Sequence, residues 1–293
     1  MDTVKHLLPL IMQASLMLLV AAVGLQSRWG DIAYAFRRPA LLARGIVAVD
    51  VVPPVVAVVL VLILPLPDPV KAGIVLMAVS PLAPFAPAKM LKAGAANSFT
   101  VGLYVALMLL AVVTVPLAIQ ILSSLFGVDM SITPAAIAKL VVTSVLLPLL
   151  AGLVIGSIAP GIAEPAARIA KLAGSIGLVI FIVPALIVLA KPMLALIGNG
   201  ALVAIVLVVG SGLAAGHLLG GPEYADRMAL AFAAATRHPG MAVLIAKANF
   251  DNPKIVPAEI LFLLTGIVVS GVYQALMKRR APASGAAGVQ PRA

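Results

Sequence analysis

Apolar residues run through this chain in blocks of about 20, and each block is closed by a cluster of charges, glycines or prolines. A run of that length crosses a bilayer as an α-helix. The clusters cut the sequence into nine predicted spans, at roughly 5–25, 39–64, 68–93, 95–124, 133–158, 165–190, 195–219, 222–250 and 254–278. Proline interrupts spans 3 and 8 near their middles. The short alternating segments of an outer-membrane barrel are not seen. The expected fold class is an all-α polytopic membrane protein.

Composition agrees: 63% of the 293 residues are hydrophobic and 10% are charged, with a mean hydropathy of +1.19. A soluble domain of this size has no interior large enough for so much apolar surface. The first apolar run, His6 to Leu25, has only Lys5 as a basic flank and no small-residue cleavage site, so it reads as a retained span rather than a signal peptide. With no cysteine, disulfides, thiolate nucleophiles and thiolate metal sites are excluded. The tail 281–293 is small, polar and Gly/Pro-containing, and is expected to be disordered.

The net charge of +10 is distributed as a topology signal rather than as a nucleic-acid surface. Put the loop carrying Arg28, Arg37 and Arg38 in the cytoplasm, and Arg44, Lys89, Lys92, Arg168, Lys171, Arg227, Lys278, Arg279, Arg280 and Arg292 follow it there. The other side receives Lys5, Lys71, Lys139, Lys191, Lys247 and Lys254, and Arg237 is left inside a span. The positive-inside bias predicts a multi-pass protein of the cell (inner) membrane with its N-terminus outside and its C-terminus cytoplasmic.

Residues 67–94 lie over 222–249 at a constant offset of 155, matching Pro67 to Pro222, Asp68 to Glu223, Ala78 to Ala233, Pro84 to Pro239, Lys92 to Lys247 and Ala93 to Ala248. Spans 3 and 8 are five spans apart, an odd number, so the copies would cross the membrane in opposite directions. Two interrupted helices at corresponding places in inverted halves point to a secondary transporter's binding site. Backbone freed by such a break is tolerated only where protein, water, ions or substrate complete its bonding.

The stretches "AAVGLQSRWGDIAYAFRRP", "VVP" in span 2, "VSPLAPFAPAKMLKAGAA" and "RHPGMAVLIA" resemble the bile acid:sodium symporter family, within the larger bile/arsenite/riboflavin transporter group. Many members have ten spans, and this chain resembles those lacking the first. The resemblance implies two broken helices crossing near the bilayer midplane and alternating access of a core against a panel. The core would be residues 39–126 (spans 2–4) and 195–280 (spans 7–9). The panel would be 5–25 and 133–190 (spans 1, 5 and 6). It also implies sodium ligands that this sequence lacks. The glutamate of the second crossing helix falls on Ala233, its Gln-Asn pair on Arg237 and His238, and the Ser-Asn pair of the first on about Phe85 and Ala86.

Arg237 is the sharpest candidate, because a cation deep in a span costs about 2.5–3.5 kcal/mol on insertion scales. It could replace the missing metal charge or clamp a substrate carboxylate. Asp50, mid-span in span 2, is expected near the crossover as its counter-charge or as a proton carrier. His238 is either titratable or a neutral hydrogen-bonding residue. Thr236, Gly240, Ser80, Phe85, Ala86 and Lys89 complete the candidate substrate site. Glu259 and Lys139 are expected to face water at the interface.

The expected function is a secondary active or facilitative transporter of a small organic anion, not sodium-coupled in the family's usual way. Its partners would be that anion, lipid and a possible coupling ion, with the proton ahead of sodium; no cofactor, metal, nucleic acid or protein partner is called for. The alternatives are a sodium-dependent symporter with shifted sites and a non-transporting membrane sensor. An enzyme is disfavoured by ten acids and three histidines that form no catalytic constellation. The run "VLVVGSGLAAG", 206–216, imitates a dinucleotide fingerprint, but Gly212 and Gly216 read as a GxxxG packing pair.

Overall fold

The computed structural model describes the backbone of residues 2–280 and the side chains of residues 10–279. The tail expected to be disordered lies outside them. Among the described residues the chain is helical and contains no named strand. Its helices are α1 (Asp2–Leu25), α2 (Trp29–Tyr34), α3 (Pro39–Ile46), α4 (Val52–Ile63), α5 (Asp68–Val79), α6 (Ala86–Lys92), α7 (Asn97–Phe126), α8 (Pro134–Val141), α9 (Leu147–Ile158), α10 (Pro160–Leu194), α11 (Ala201–Leu219), α12 (Tyr224–Ala235), α13 (Pro239–Asn249) and α14 (Ile255–Arg280). Among the described residues six continuous helical stretches are long and apolar enough to cross a membrane: Pro39–Ile63, Asn97–Phe126, Pro134–Ile158, Pro160–Leu194, Ala201–Leu219 and Ile255–Arg279. The α1–α2 pair, bent by 93°, raises the number to seven.

Most expected boundaries agree with the helices to within a few residues, and the differences have local causes. The segment expected as a plain loop before span 2 forms α2 and a 3-10 turn at Ala35–Arg37. Asp31 caps α2 from inside, accepting a 2.7 Å hydrogen bond from the Arg28 backbone N–H. Span 6 begins earlier than expected because Pro160 occupies the first helical position, where a missing N–H costs nothing. Span 7 begins later, at Ala201, after Asn199 and Gly200 in the left-handed region.

Spans 2 and 5 each contain one π-helical turn, at Val47–Val51 and at Val142–Leu146, and each turn ends two residues before a proline, Pro53 and Pro148. Proline removes the N–H that would bond the carbonyl four residues back, and a π-turn is one way for the chain to absorb the loss.

The packing rests on small residues. A Cβ on Gly216 would run into the backbone of Leu230 and Ala231, and one on Gly212 into the Ala234 carbonyl, so the GxxxG pair seats α11 directly on α12. Gly24 and Gly152 bring α1 and α9 together in the same way, and Gly174 brings α10 onto α1. The main buried cluster joins residues of α4, α5, α7, α11, α12, α13 and α14. Ala22 and Leu25 of α1 with Ala167 of α10 form a separate small cluster.

Polar contacts gather the connections at two ends. At one, Arg38 pairs with Asp226 at 2.7 Å, Lys171 with Gln26, and Gln274 with the Lys92 carbonyl. At the other, the Ser131 N–H donates to Asn249 at 2.7 Å.

Candidate functional site at the two helix breaks

The helix α5 stops at Val79 and α6 starts at Ala86; α12 stops at Ala235 and α13 starts at Pro239. The two breaks meet. Leu82 and Arg237 form an antiparallel bridge, in which the His238 N–H donates to the Pro81 carbonyl at 2.9 Å and the Ala83 N–H to the Thr236 carbonyl at 3.3 Å. Each interruption thus supplies part of the hydrogen bonding that the other has lost.

Arg237 completes the bonding. Its side chain is buried (4% exposed). It donates from Nη2 to the Val49 carbonyl at 2.5 Å and from Nη1 to the Ser80 carbonyl at 3.2 Å. Both acceptors are carbonyls that proline has stripped. The residues four and five positions after Val49 are Pro53 and Pro54, so neither an α- nor a π-type donor exists for it; the residue four after Ser80 is Pro84. The guanidinium therefore ties the π-turn of span 2 to both breaks, and three of its five N–H groups remain available.

Asp50 is brought to this place, as expected, but not as an ion-pair partner. Among the described residues the ion pairs are Arg38–Asp226 and Arg168–Glu164. Arg237 bonds the carbonyl of the residue preceding Asp50, while Asp50 Oδ2 is buried without a hydrogen-bond partner. The guanidinium is oriented by the Val49 and Ser80 carbonyls, which lie within its hydrogen-bonding reach.

His238 caps α13. Its Nδ1 accepts a 3.2 Å hydrogen bond from the Met241 N–H, which places the ring proton of the neutral form on Nε2, and Nε2 is buried without a partner. The Thr236 hydroxyl is likewise buried and unpartnered. Ser80 is fully buried and turns back to donate to the Leu76 carbonyl at 2.7 Å, so its hydroxyl is already engaged. Ala86 is buried at the start of α6. Gly240 faces the His238 ring, where a Cβ would lie 3.2 Å from the imidazole. The Lys89 ammonium sits 5.2 Å from the centre of the Phe85 ring.

A small cavity of about 10 Å³ opens beside these groups, lined by Lys89, Thr236 and Arg237 and by Met77, Phe262 and Gly266. That is room for about one water. Two cations and an unpartnered hydroxyl thus face a cavity whose other walls are apolar.

Two features escaped sequence reasoning. Glu259 is fully buried, not at a wetted interface, and neither of its oxygens has a partner; Lys139 is exposed. At this level α14 packs closely on α5, with Gly73 against Ala258 and the Glu259 backbone nitrogen. Thr100 and Tyr104, one turn apart on α7, also have buried hydroxyls without partners; their spacing on one helix face could have flagged them.

Among comparisons with known proteins, the model of the Sodium Bile acid symporter family matches residues 14–214, more than two thirds of the chain, taking in α5 and the first break and ending within α11. No curated protein matches the chain.

Proposed function

Because the chain belongs to the sodium bile acid symporter family, we propose that it is a secondary carrier of a small organic anion whose substrate site lies at the two helix breaks. The family is one of membrane transporters, and the six spanning helices agree with that setting. In this reading α5–α6 and α12–α13 each cross as one broken span, giving nine spans. The two breaks cross near the midplane in inverted orientation, with the N-terminus outside and the C-terminus cytoplasmic. Residues 39–126 and 195–280 form the core, residues 5–25 and 133–190 the panel, and alternating access moves one against the other.

The observation that carries the reading is the buried guanidinium of Arg237 on the Val49 and Ser80 carbonyls. It stands where the resemblance places cation ligands, and it brings a positive charge that cannot leave, since a guanidinium keeps its proton at any pH a cell reaches. Its three remaining donors, with the Thr236 hydroxyl, the His238 Nε2–H and the Lys89 ammonium, form a recognition set for a carboxylate or sulfonate. A sodium ion placed among them would be repelled. The carrier is therefore independent of a sodium gradient and works as a uniporter, an exchanger or a proton-driven symporter.

The test is uptake by proteoliposomes of radiolabelled bile acids, small carboxylates and sulfonates, chosen by thermal shift on the purified protein. Uptake of at least one anion is expected, at equal rates with and without a sodium gradient and reduced in Arg237→Ala. A strict sodium requirement, or full uptake by R237A, refutes the assignment.

A further inference from the structure

Glu259 lies outside the site at the breaks. It is four residues into α14 from Ile255, about 6 Å along the helix at 1.5 Å per residue. Its side chain is entirely buried (0% exposed) and both carboxyl oxygens lack a hydrogen-bond partner. Around it Ile255, Ala258, Leu261 and Phe262 are buried and apolar. The helices are in close contact at this level: a Cβ on Gly73 of α5 would lie 2.7 Å from the Ala258 Cβ and 3.2 Å from the Glu259 nitrogen.

The titratable groups on the packed helices at this end are Asp68 and Lys71 of α5, Lys191 of α10 and Lys247 of α13. Those of α11 and α12, namely His217, Tyr224, Asp226 and Arg227, belong to the opposite end, where His217 meets Tyr273 far along α14. None forms an ion pair or hydrogen bond with Glu259. An ionised carboxylate has nothing to meet it here, and a buried group in that position takes up a proton instead. Among the described residues no group of three or more Asp, Glu, His or Cys surrounds it.

We propose that Glu259 is a proton-binding site at the α5–α14 seam: the carboxyl group holds a proton while the seam is closed, and releases it to water when the two helices part. The seam is connected to the substrate site, because Ser80, whose carbonyl Arg237 holds, lies seven residues beyond Gly73 at the end of the same α5. Opening the seam therefore moves the first break. The proton site stands on this geometry, and its coupling to transport rests on the carrier reading above.

The experiment needs no substrate. Infrared spectra of the purified full chain at neutral pH are expected to contain a carboxylic-acid carbonyl band that is absent in E259Q and unaffected by sodium. Labelling the wild type with carbon-13 glutamate assigns the band even if the variant fails to fold, because the other two glutamates, Glu164 and Glu223, are exposed. Deuterium exchange then reads the seam. As pH rises, amides of 68–79 and 255–263 in the wild type should gain exchange beyond the general rise seen in α7, and those of E259Q should not. A missing glutamic-acid band, a band abolished by sodium, or the same pH response in both proteins overturns the proposal. If the band and the pH response are found but no anion is carried, the carrier reading fails and the proton site stands; sodium-independent flux without the band fails the proton site alone.

Discussion

The interaction of Arg237 with a carbonyl stripped by proline can be measured as a coupling energy. Arg237→Met removes both charged donors while keeping a long apolar side chain. Its total effect mixes two opposing quantities. Each carbonyl loses a hydrogen bond from a charged donor, worth about 1.5–3 kcal/mol, but the membrane is relieved of a buried cation, about 2.5–3.5 kcal/mol on insertion scales. With two carbonyls affected the net change lies anywhere from about zero to about 3 kcal/mol and does not isolate either quantity. Pro53→Ala separates the two. It restores an N–H four residues after Val49, so the carbonyl can find a donor within its own helix, and R237M should then cost less by one charged hydrogen bond, about 1.5–3 kcal/mol. The desolvation of the guanidinium is common to both arms of the cycle and cancels.

The assay is the temperature at which half of the purified protein survives as a monodisperse peak, for the wild type, R237M, P53A and R237M/P53A. At about 2–4 °C per kcal/mol, the coupling should appear as a non-additivity of roughly 3–12 °C. Pro184→Ala, on an exposed part of α10, serves as the control and should add to R237M within about 0.5 kcal/mol. If P53A combines with R237M as additively as P184A does, the Val49 carbonyl is not what holds the guanidinium, and the structural role assigned to the residue is wrong.

Gly216→Val should abolish recovery of folded protein, since its Cβ alone would enter the backbone of Ala231; Gly210→Val on the same helix, where a Cβ meets nothing within 4 Å, should be recovered normally, and equal yields would refute the seam. Arg38→Ala should lower the melting temperature more than Asp226→Asn, because it leaves a buried carboxylate (side chain 7% exposed) without its partner, whereas the asparagine keeps a neutral acceptor; the reverse order in thermal melts would show that the pair contributes nothing.

The helices were legible in the sequence because apolar run length and punctuation by proline, glycine and charge are set by the bilayer itself. The breaks were legible because Pro81 and Pro84 crowd one segment and the Pro239-Gly240 pair opens the other; a lone proline does not suffice, since Pro116 and Pro184 lie inside continuous helices. At the offset of 155, Pro84 and Pro239 align and the helix bounds agree closely. The partner of Arg237 was not legible as a side chain, and the search for a counter-charge led to Asp50. A search for carbonyls without donors would have found Val49, from Pro53 and Pro54, and Ser80, from Pro84. Glu259 was misread because position near a helix end was taken to mean exposure. The close approach of α5 at its position involves a glycine 186 residues away in sequence, which no local pattern encodes.

A fixed cation at the breaks also constrains the energetics of transport. A bound metal ion enters and leaves with the substrate, so its gradient can drive accumulation, but a guanidinium carries the same charge through every conformation. A carrier built on Arg237 alone can equilibrate its anion or exchange it for another. Accumulation driven by a proton gradient requires a second group whose charge changes during the cycle. Among the described residues the acidic side chains with buried, unpartnered oxygens are Asp50 and Glu259. Asp50 stands beside a permanent cation, and protonating it would leave that cation uncompensated in a dry place; Glu259 has no cation to lose. Glu259→Gln should therefore convert a concentrating carrier into an exchanger, leaving anion counterflow intact while uptake against a gradient stops. Proteoliposomes that still concentrate the anion with E259Q would place the driving proton elsewhere.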